Sequence, residues 1–496
     1  MHEGVLQFRA CREFIPQQSS EALNWSLLLR KDTHSPPSTS APTFELELHD
    51  TATDGRGVGR LANGKVVFVE GALGGEVITA TLLNETSTMA DAQVVSVSKK
   101  SDMRQKPPCR QAAQCGGCQL QHVTPTSQLT LKKQWLVQTL RRIGQWPVEH
   151  INSAGRMLRC EQGITSRYRQ RVRWHFNGKE LGFFARRSHS VVSAEGCLIV
   201  APPLERARAE LLARLTATDM SDVFRAAGLV DMQIEATALK NETVTLWLKD
   251  VRCTGGNATE AKIRDLMHSF VKQWNGRQID ERGFIQIGHP DLESFSIAPQ
   301  GFLQPHRDAM ELYRSEITKQ LRALVRSPAL EALQNKRTWT AWDLYCGAGA
   351  FSDLPGKVAG NSRHVTTWSV EGVSAAINAL KWNHPSLAAQ ATVDDVREFI
   401  AARVRAGELP DMLMCDPPRD GIGAPTARAL ATALTKKTTP TVIVWIACDM
   451  ASFARDTKPF LDASFQMHSL ALFDCFTHTM HAEIISIFWY PGAEVK

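Results

Sequence analysis

The chain has no apolar run long enough to cross a bilayer, and its first residues (Met1–Phe14) place charges where a secretion signal needs an apolar core. A membrane-embedded or exported protein is therefore not expected. Its 11 cysteines are scattered through 496 residues instead of framing a small disulfide scaffold, which fits a reducing, cytoplasmic compartment with thiols reduced or bound to metal. Strong charge of either sign is also missing. A formal net charge of +6 permits a polyanionic partner without requiring one. The length exceeds one ordinary core, so two or three domains are expected.

Residues 1–42 carry little persistent pattern beyond a short helical possibility at Glu21–Arg30, and the Ser/Pro-rich Ser35–Pro42 reads as a linker. From Phe44 the pattern changes to short alternating strands broken by glycine turns: Phe44–His49, Lys65–Val69, Glu76–Leu82 and Gln93–Val97, with a turn over Asp54–Gly59. Such strands over residues 43–101 predict a small OB-like β-barrel. Arg56, Arg60, Lys65, Lys99 and Lys100 offer phosphate contacts from it, or form an ordinary solvated surface.

Residues 102–296 read as a central α/β domain. Its opening loop holds Cys109, Cys115 and Cys118, the last two flanking a glycine pair that lets the backbone wrap. Three soft ligands in one loop suit zinc, with His122 as fourth ligand, or an iron–sulfur cluster, with a fourth cysteine from elsewhere. Apolar spacing predicts a helix over Leu129–Ile143, whose cations face solvent or RNA. Strands at Arg171–Phe176 and Thr243–Leu248 and helices at Leu204–Leu215 and Ala261–Trp274 follow. Arg169, Arg171 and Arg173 alternate along one strand face as a phosphate track.

The last part, 297–496, alternates strands and helices and predicts a doubly wound, mostly parallel sheet. One apolar run breaks at Asp343-Leu-Tyr-Cys-Gly347 into a glycine-rich turn, the device that lets backbone approach a nucleotide-like ligand. Glu371 ends the next apolar stretch, where such a fold sets a carboxylate against ribose hydroxyls. Asp416 ends a third, at Asp416-Pro-Pro-Arg-Asp-Gly421, and Cys448 ends a fourth, Val442–Ala447.

Those motifs, together with Phe302-Leu-Gln304, Ala454-Arg-Asp456 and His478-Thr-Met-His-Ala-Glu483, stand in one order. In that order the chain resembles the S-adenosylmethionine-dependent RNA uracil-C5 methyltransferases. The resemblance implies a class I, Rossmann-like methyltransferase domain and identifies the barrel with a TRAM domain. It makes Cys448 the nucleophile and Glu483 the proton-abstracting base. Gln304, Tyr345, Glu371, Asp395 and Asp416 would meet the methyl donor, with Asp394 a close rival to Asp395. Cys197, downstream of Leu181-Gly-Phe, becomes the fourth ligand with Cys109, Cys115 and Cys118 of a [4Fe-4S] cluster, which points to the branch acting on 23S rRNA. RNA is the implied partner, and no obligate protein partner is inferred.

This sequence departs from the family twice. Ala447, Asp449 and Met450 replace Ser, Asn and Pro around the nucleophile, and Pro305-His306 replaces Val-Asn. A carboxylate beside the thiol would raise its pKa. A catalytically silent RNA-binding protein, or a methyltransferase for another base, stands as the rival expectation.

Overall fold

The structure, a computed structural model, describes residues 42–493. The extension before Pro42, with its expected helix and Cys11, lies outside the described residues. Among the described residues no helix is long and apolar enough to cross a membrane.

Alternating residues drive the first body. Strands β1 (Thr43–Thr51), β2 (Gly57–Arg60), β3 (Val66–Glu70), β4 (Val77–Glu85) and β5 (Met89–Lys99) close into a barrel in the order β1-β2-β3-β5-β4. Leu46, Leu48, Val67, Val69, Ile78, Ala80, Ala90 and Ala92 fill it. β2 occupies part of the expected Asp54–Gly59 turn. Its glycines are steric: a Cβ on Gly57 would lie 2.6 Å from Leu48 Cδ1 and 3.0 Å from the Ala72 backbone. Two of the expected phosphate-binding cations are already engaged, Arg56 with Asp54 and Asp91, and Lys65 with Glu85.

β6 (Arg159–Gln162) precedes a five-stranded sheet built from β7 (Arg171–Phe176), β8 (Leu181–Phe184), β9 (Val191–Ser193), β10 (Leu229–Ala238) and β11 (Val244–Cys253), in the order β11-β10-β7-β8-β9. Helices Pro202–Leu215, Thr218–Ala227 and Asn257–Asn275 share its core. Arg171 does not serve a phosphate track: its guanidinium pairs with Glu235 and donates to the carbonyls of Pro299 and Gly301. Arg173 remains on the exposed face.

A hairpin of β12 (Ile285–Ile287) and β13 (Phe295–Ile297) leads into the last sheet. Its strands are β14 (Thr338–Leu344), β15 (His364–Glu371), β16 (Ala391–Val393), β17 (Met412–Cys415), β18 (Thr441–Ala447), β19 (Gln466–Asp474) and β20 (Glu483–Tyr490). With β6 they form eight strands in the order β16-β15-β14-β17-β18-β20-β19-β6. β14 to β18 run parallel, and every residue of β17 and β18 is buried, as expected for a sheet covered on both faces. β20 is antiparallel to both β18 and β19.

β6 comes from the segment assigned by sequence to the central domain, yet it pairs parallel with β19, Arg159 opposite Ala471. The helices Pro125–Arg142 and Val148–Met157 join the same core through Leu136, Leu140 and Ile151, with Trp146 from the connection between them. The longer helix starts at a Thr124 cap and buries Gln128, Leu131, Lys132, Trp135, Leu136, Thr139 and Leu140, an i, i+3, i+4 stripe. Lys132 therefore faces neither solvent nor RNA: it is fully buried, with its Nζ 2.6 Å from Asp474. Trp135 donates to the Thr51 carbonyl at 2.7 Å and so ties the barrel to this helix.

Candidate active site

The site lies at the carboxyl ends of the parallel strands. Ala447 pairs with Ile484, so Cys448 and Glu483 stand opposite each other, one residue beyond that pair. Glu483 is 5% exposed, and burial followed by the charge of Asp416 pushes its carboxyl well above the usual range. Burial also drives the Cys448 thiol up to about 12, with Glu483, Asp416 and Asp449 adding to the rise. Arg419 opposes the shift at both groups. Asp449 also caps the helix Met450–Asp462, its carboxylate accepting from Ser452 N at 2.7 Å.

The turn that presents Asp416 and Arg419 is braced from the same helix. Asp456 accepts from the backbone of Ile422 (2.8 Å) and Gly423 (3.1 Å) and pairs with Arg455. Gly421 has φ 69°, and a Cβ there would overlap the Asp456 carboxylate. Arg419 lies 3.3 Å from His481 Nε2; burial and then this cation hold the imidazole down at about 4, so His481 is neutral at physiological pH.

Beside this centre is a pocket lined by Phe302, Gln304, Asp343, Tyr345, Gly347 and Asp416 among others. Gln304 is buried with its Oε1 unpartnered, while its carbonyl accepts from Gln170. Tyr345 sits at φ 61°, an uncommon backbone region for a bulky residue, in the turn that follows β14. Glu371 is close by, accepting from Gly347 N at 3.3 Å and Val373 N at 3.0 Å. Asp395 is exposed, its charge reaches Tyr345, and its carboxylate caps the helix Val396–Ala406 through the amides of Arg397 and Glu398.

Two further residues of this pocket belong to the sequence motifs, but the sequence alone gives them no role. Asp343 is buried, accepts from Ser352 Oγ, and is pushed up to about 7, first by burial and then, among its neighbours, by Asp416. Burial also takes Asp416 itself to about 7, although part of the residue still opens onto the pocket. The signal available for Asp343 is an acidic residue closing an apolar run, the same one that picks out Asp416. Phe302 is 71% exposed at the pocket, an aromatic face kept in solvent.

No protein-family model matches the chain. It is 30% identical over 458 residues to 23S rRNA (uracil(1939)-C(5))-methyltransferase RlmD of Pseudomonas fluorescens (strain Pf0-1), covering 89% of this chain and 91% of that protein. The chain belongs to the RNA uracil-C5 methyltransferase family. The protein of the same name from Halomonas elongata is 29% identical over 464 residues, 90% of each chain. Among solved structures, the Pyrococcus abyssi tRNA (uracil-54, C5)-methyltransferase in complex with S-adenosyl-L-homocysteine superposes with a TM-score of 0.60 at 19% identity. That match covers 90% of this chain and 99% of that one, a shared fold that extends beyond the catalytic domain.

The thiol loop of this family member packs against the barrel and the central sheet. Cys109, Cys115, Cys118 and Cys197 are all unpaired, and each of the latter three is pushed up by burial with further contributions from neighbouring thiols of the set. Cys118 reaches about 12. Backbone N–H groups of Gly117 and of Ile199 and Val200 face the sulfurs of Cys115 and Cys197. Among the described residues, no group of three or more His, Cys, Asp or Glu side chains converges as a single-ion site. His122, the alternative fourth ligand, is buried, and its charged neighbours are Arg104, Arg186 and Glu76 rather than the thiols.

Proposed function

We propose that this methyltransferase modifies C5 of a uridine in 23S rRNA, in the cytoplasm, through a covalent bond between Cys448 and uracil C6. The observation that carries the reading is the opposition of Cys448 and Glu483 across β18 and β20, with Asp416 and Arg419 facing both. Uracil C5 is a weak nucleophile. A Cys448 thiolate adding to C6 forms the S–C6 bond and moves the C5=C6 electron pair toward an enolate at O4, so that C5 becomes reactive. After C5 is methylated it carries both the methyl group and its original hydrogen. Glu483 removes that proton, the C–H pair restores C5=C6, and the thiolate leaves. A carboxyl held well above its usual range is a correspondingly stronger base once ionised.

S-adenosylmethionine supplies an electrophilic methyl on a sulfonium. The pocket suits such a cationic ligand: Gln304 offers an unpartnered buried oxygen, and the raised carboxyls of Asp343 and Asp416 ionise more readily beside a positive charge. Tyr345 and Glu371 would hold the nucleoside, and Asp395, whose charge reaches Tyr345, would sit near the adenine. Phe302 would stack on the target base.

The cysteine set supports a [4Fe-4S] cluster on Cys109, Cys115, Cys118 and Cys197. The four thiols lie close enough for Cys115, Cys118 and Cys197 each to be raised by others of the set, and backbone N–H groups face the sulfurs of Cys115 and Cys197, as thiolate ligands of such a cluster require.

The test is trapping. A 23S rRNA fragment carrying 5-fluorouridine at the target should form a stable adduct with the native protein, because fluorine does not leave as a proton. Cys448→Ala should form none. Glu483→Gln should methylate natural RNA and then stall with the thioether intact. Turnover that survives Cys448→Ala excludes the covalent route, and absence of turnover on any ribosomal RNA leaves the binding-protein reading.

A further inference from the structure

The helix Ala309–Val325 covers one face of the catalytic sheet, and β19 and β20 turn alternate side chains toward it. Phe473, Ile485 and Ile487 share a core with Tyr313 and Ile317 of that helix, whereas Leu472 and Ile484 pack on the opposite face. Glu483 continues the stripe of Ile485 and Ile487, and its register partner on β19 is Phe473. Tyr313 meets Phe473 edge-on, with ring centroids 5.0 Å apart. The catalytic base is thus the polar end of an apolar stripe, and Tyr313 is the aromatic beneath it.

Tyr313 is fully buried, and among the described residues its hydroxyl has no hydrogen-bond partner. The Cys475 thiol is near enough to perturb that hydroxyl but is not placed to bond it. Burial first, and then Glu483 ahead of any other neighbour, raises the phenol well above its ordinary value, so it is a neutral O–H donor. Burial also drives Cys475 up to about 12, which leaves a neutral thiol there. Glu483 has the complementary deficit: among the described residues no N–H or O–H donates to its carboxyl. The groups facing it are Asp416 and Arg419 from the turn after β17, the Cys448 thiol beyond β18, Cys475 beyond β19, and Tyr313. Of these only Arg419 is positive. A buried donor without an acceptor is costly, and so is a buried carboxylate without a donor. Here the two are neighbours.

We propose that Tyr313 is a positioning residue for the base: its hydroxyl donates to the Glu483 carboxylate when that group ionises, and aims it at the C5 proton. The inference rests on the reading of Glu483 as the base. No bond joins the two side chains in this structure; ionisation makes the carboxylate the stronger acceptor that the phenol lacks. A hydrogen bond to the charged form favours that form, and the charged form is the one that takes the C5 proton after methyl transfer. Tyr313 keeps its own proton throughout, so it adds no step to the reaction. It acts only through Glu483, whose reach and ionisation it sets.

The experiment uses Tyr313→Phe in the full chain, which removes only the hydroxyl, and a 23S rRNA fragment that the native protein methylates. In a single turnover, the rate at which the methylated adduct releases RNA should rise with pH as the base ionises. Tyr313→Phe should move that rise to higher pH, slowing release at neutral pH about tenfold if the pKa of the base rises by one. Adduct should accumulate on natural RNA, while the rate of methyl transfer, KM for RNA and affinity for S-adenosylhomocysteine stay unchanged. The melting temperature should not fall, since the lost hydroxyl has no partner. Cys475→Ser offers the phenol a competing acceptor and should shift the pH dependence of release in the same direction; Cys475→Ala should not. An unshifted pH dependence in Tyr313→Phe overturns the assignment, and weaker S-adenosylhomocysteine binding alongside it would give the hydroxyl to Asp416 instead. Glu483→Gln that turns over without stalling refutes the base itself, whatever Tyr313 does.

Discussion

His478 and Gln128, 350 residues apart in the chain, clasp each other: His478 N donates to Gln128 Oε1 at 2.6 Å, and Gln128 Nε2 lies 3.1 Å from His478 Nδ1. The same amide reaches the carbonyls of Leu120 and Val123, and Leu120 N donates to the His478 carbonyl at 2.9 Å. His478 is held at φ 74°. Tyr168 donates to Thr477, and the Lys132–Asp474 pair closes the far end. The segment that delivers Glu483 is therefore shaped by the longer N-terminal helix and the thiol loop.

Gln128→Leu should leave those backbone groups unsatisfied, at a cost of about 1–3 kcal/mol each for those that find no water. Its effect on catalysis should fall on the step that needs Glu483. We expect a lower kcat, accumulation of the covalent RNA adduct on natural substrate, and unchanged affinity for S-adenosylhomocysteine. A lower melting temperature with normal kcat would reduce Gln128 to a stabilising role.

Asp343 provides a stability test with a definite sign. Its carboxyl titrates near 7 when folded, against an ordinary value of 3.8. The folded state therefore binds the proton more tightly, and this group lowers apo-protein stability as pH rises from about 4 through 7. Asp343→Asn should remove that penalty, raising apo stability at pH 8 by on the order of 1 kcal/mol or more while weakening S-adenosylmethionine binding. Denaturant melts at pH 5 and pH 8 check it; an equal effect at both pH values would contradict the sign. In the native protein, donor affinity should drop as pH falls through 7.

Arg419 is the cation that favours the Cys448 thiolate. Its loss should raise the thiol further and slow both iodoacetamide alkylation and fluorouridine trapping at neutral pH, about tenfold if the thiol pKa rises by one. Raising the pH should recover part of the rate, and Arg419→Lys should recover most of it. Asp449→Asn should change little or speed the reaction slightly, since an amide oxygen can also cap Ser452 N. Alkylation indifferent to Arg419 would mean that another group ionises the thiol.

Protein purified without oxygen should be brown and contain iron and acid-labile sulfide, and Cys118→Ser or Cys197→Ser should lose both. One zinc per chain with no sulfide would return His122 to the ligand set. Either result is read by metal analysis and absorbance, independent of activity.

Much of the catalytic domain was legible because its strands are buried on both faces and end in acidic residues or glycine turns. β17 and β18 announce themselves as unbroken apolar runs. β6 does not: Arg-Cys-Glu-Gln is half-buried throughout, without alternation, and its partner is remote. Lys132 reads as a surface residue because nothing local reveals the carboxylate that neutralises it, from the other end of the chain. Asp395-x-x-Glu398 carries a helix-start signature legible in the sequence, and the Asp395 side chain makes that cap.

The pairing of β6 with β19 also sets a timetable for biogenesis. Gln162 and Asp474 are 312 residues apart, so at 5–20 residues per second the ribosome needs roughly 15–60 s to deliver the partner. During that interval Leu136, Leu140, Trp146 and Ile151 wait for core partners such as Phe453, Leu470 and Leu472. The nascent chain is then a natural client for chaperones that hold apolar segments. A fragment restricted to residues 297–496 would leave the β19 edge uncovered, an invitation to edge-to-edge pairing between copies.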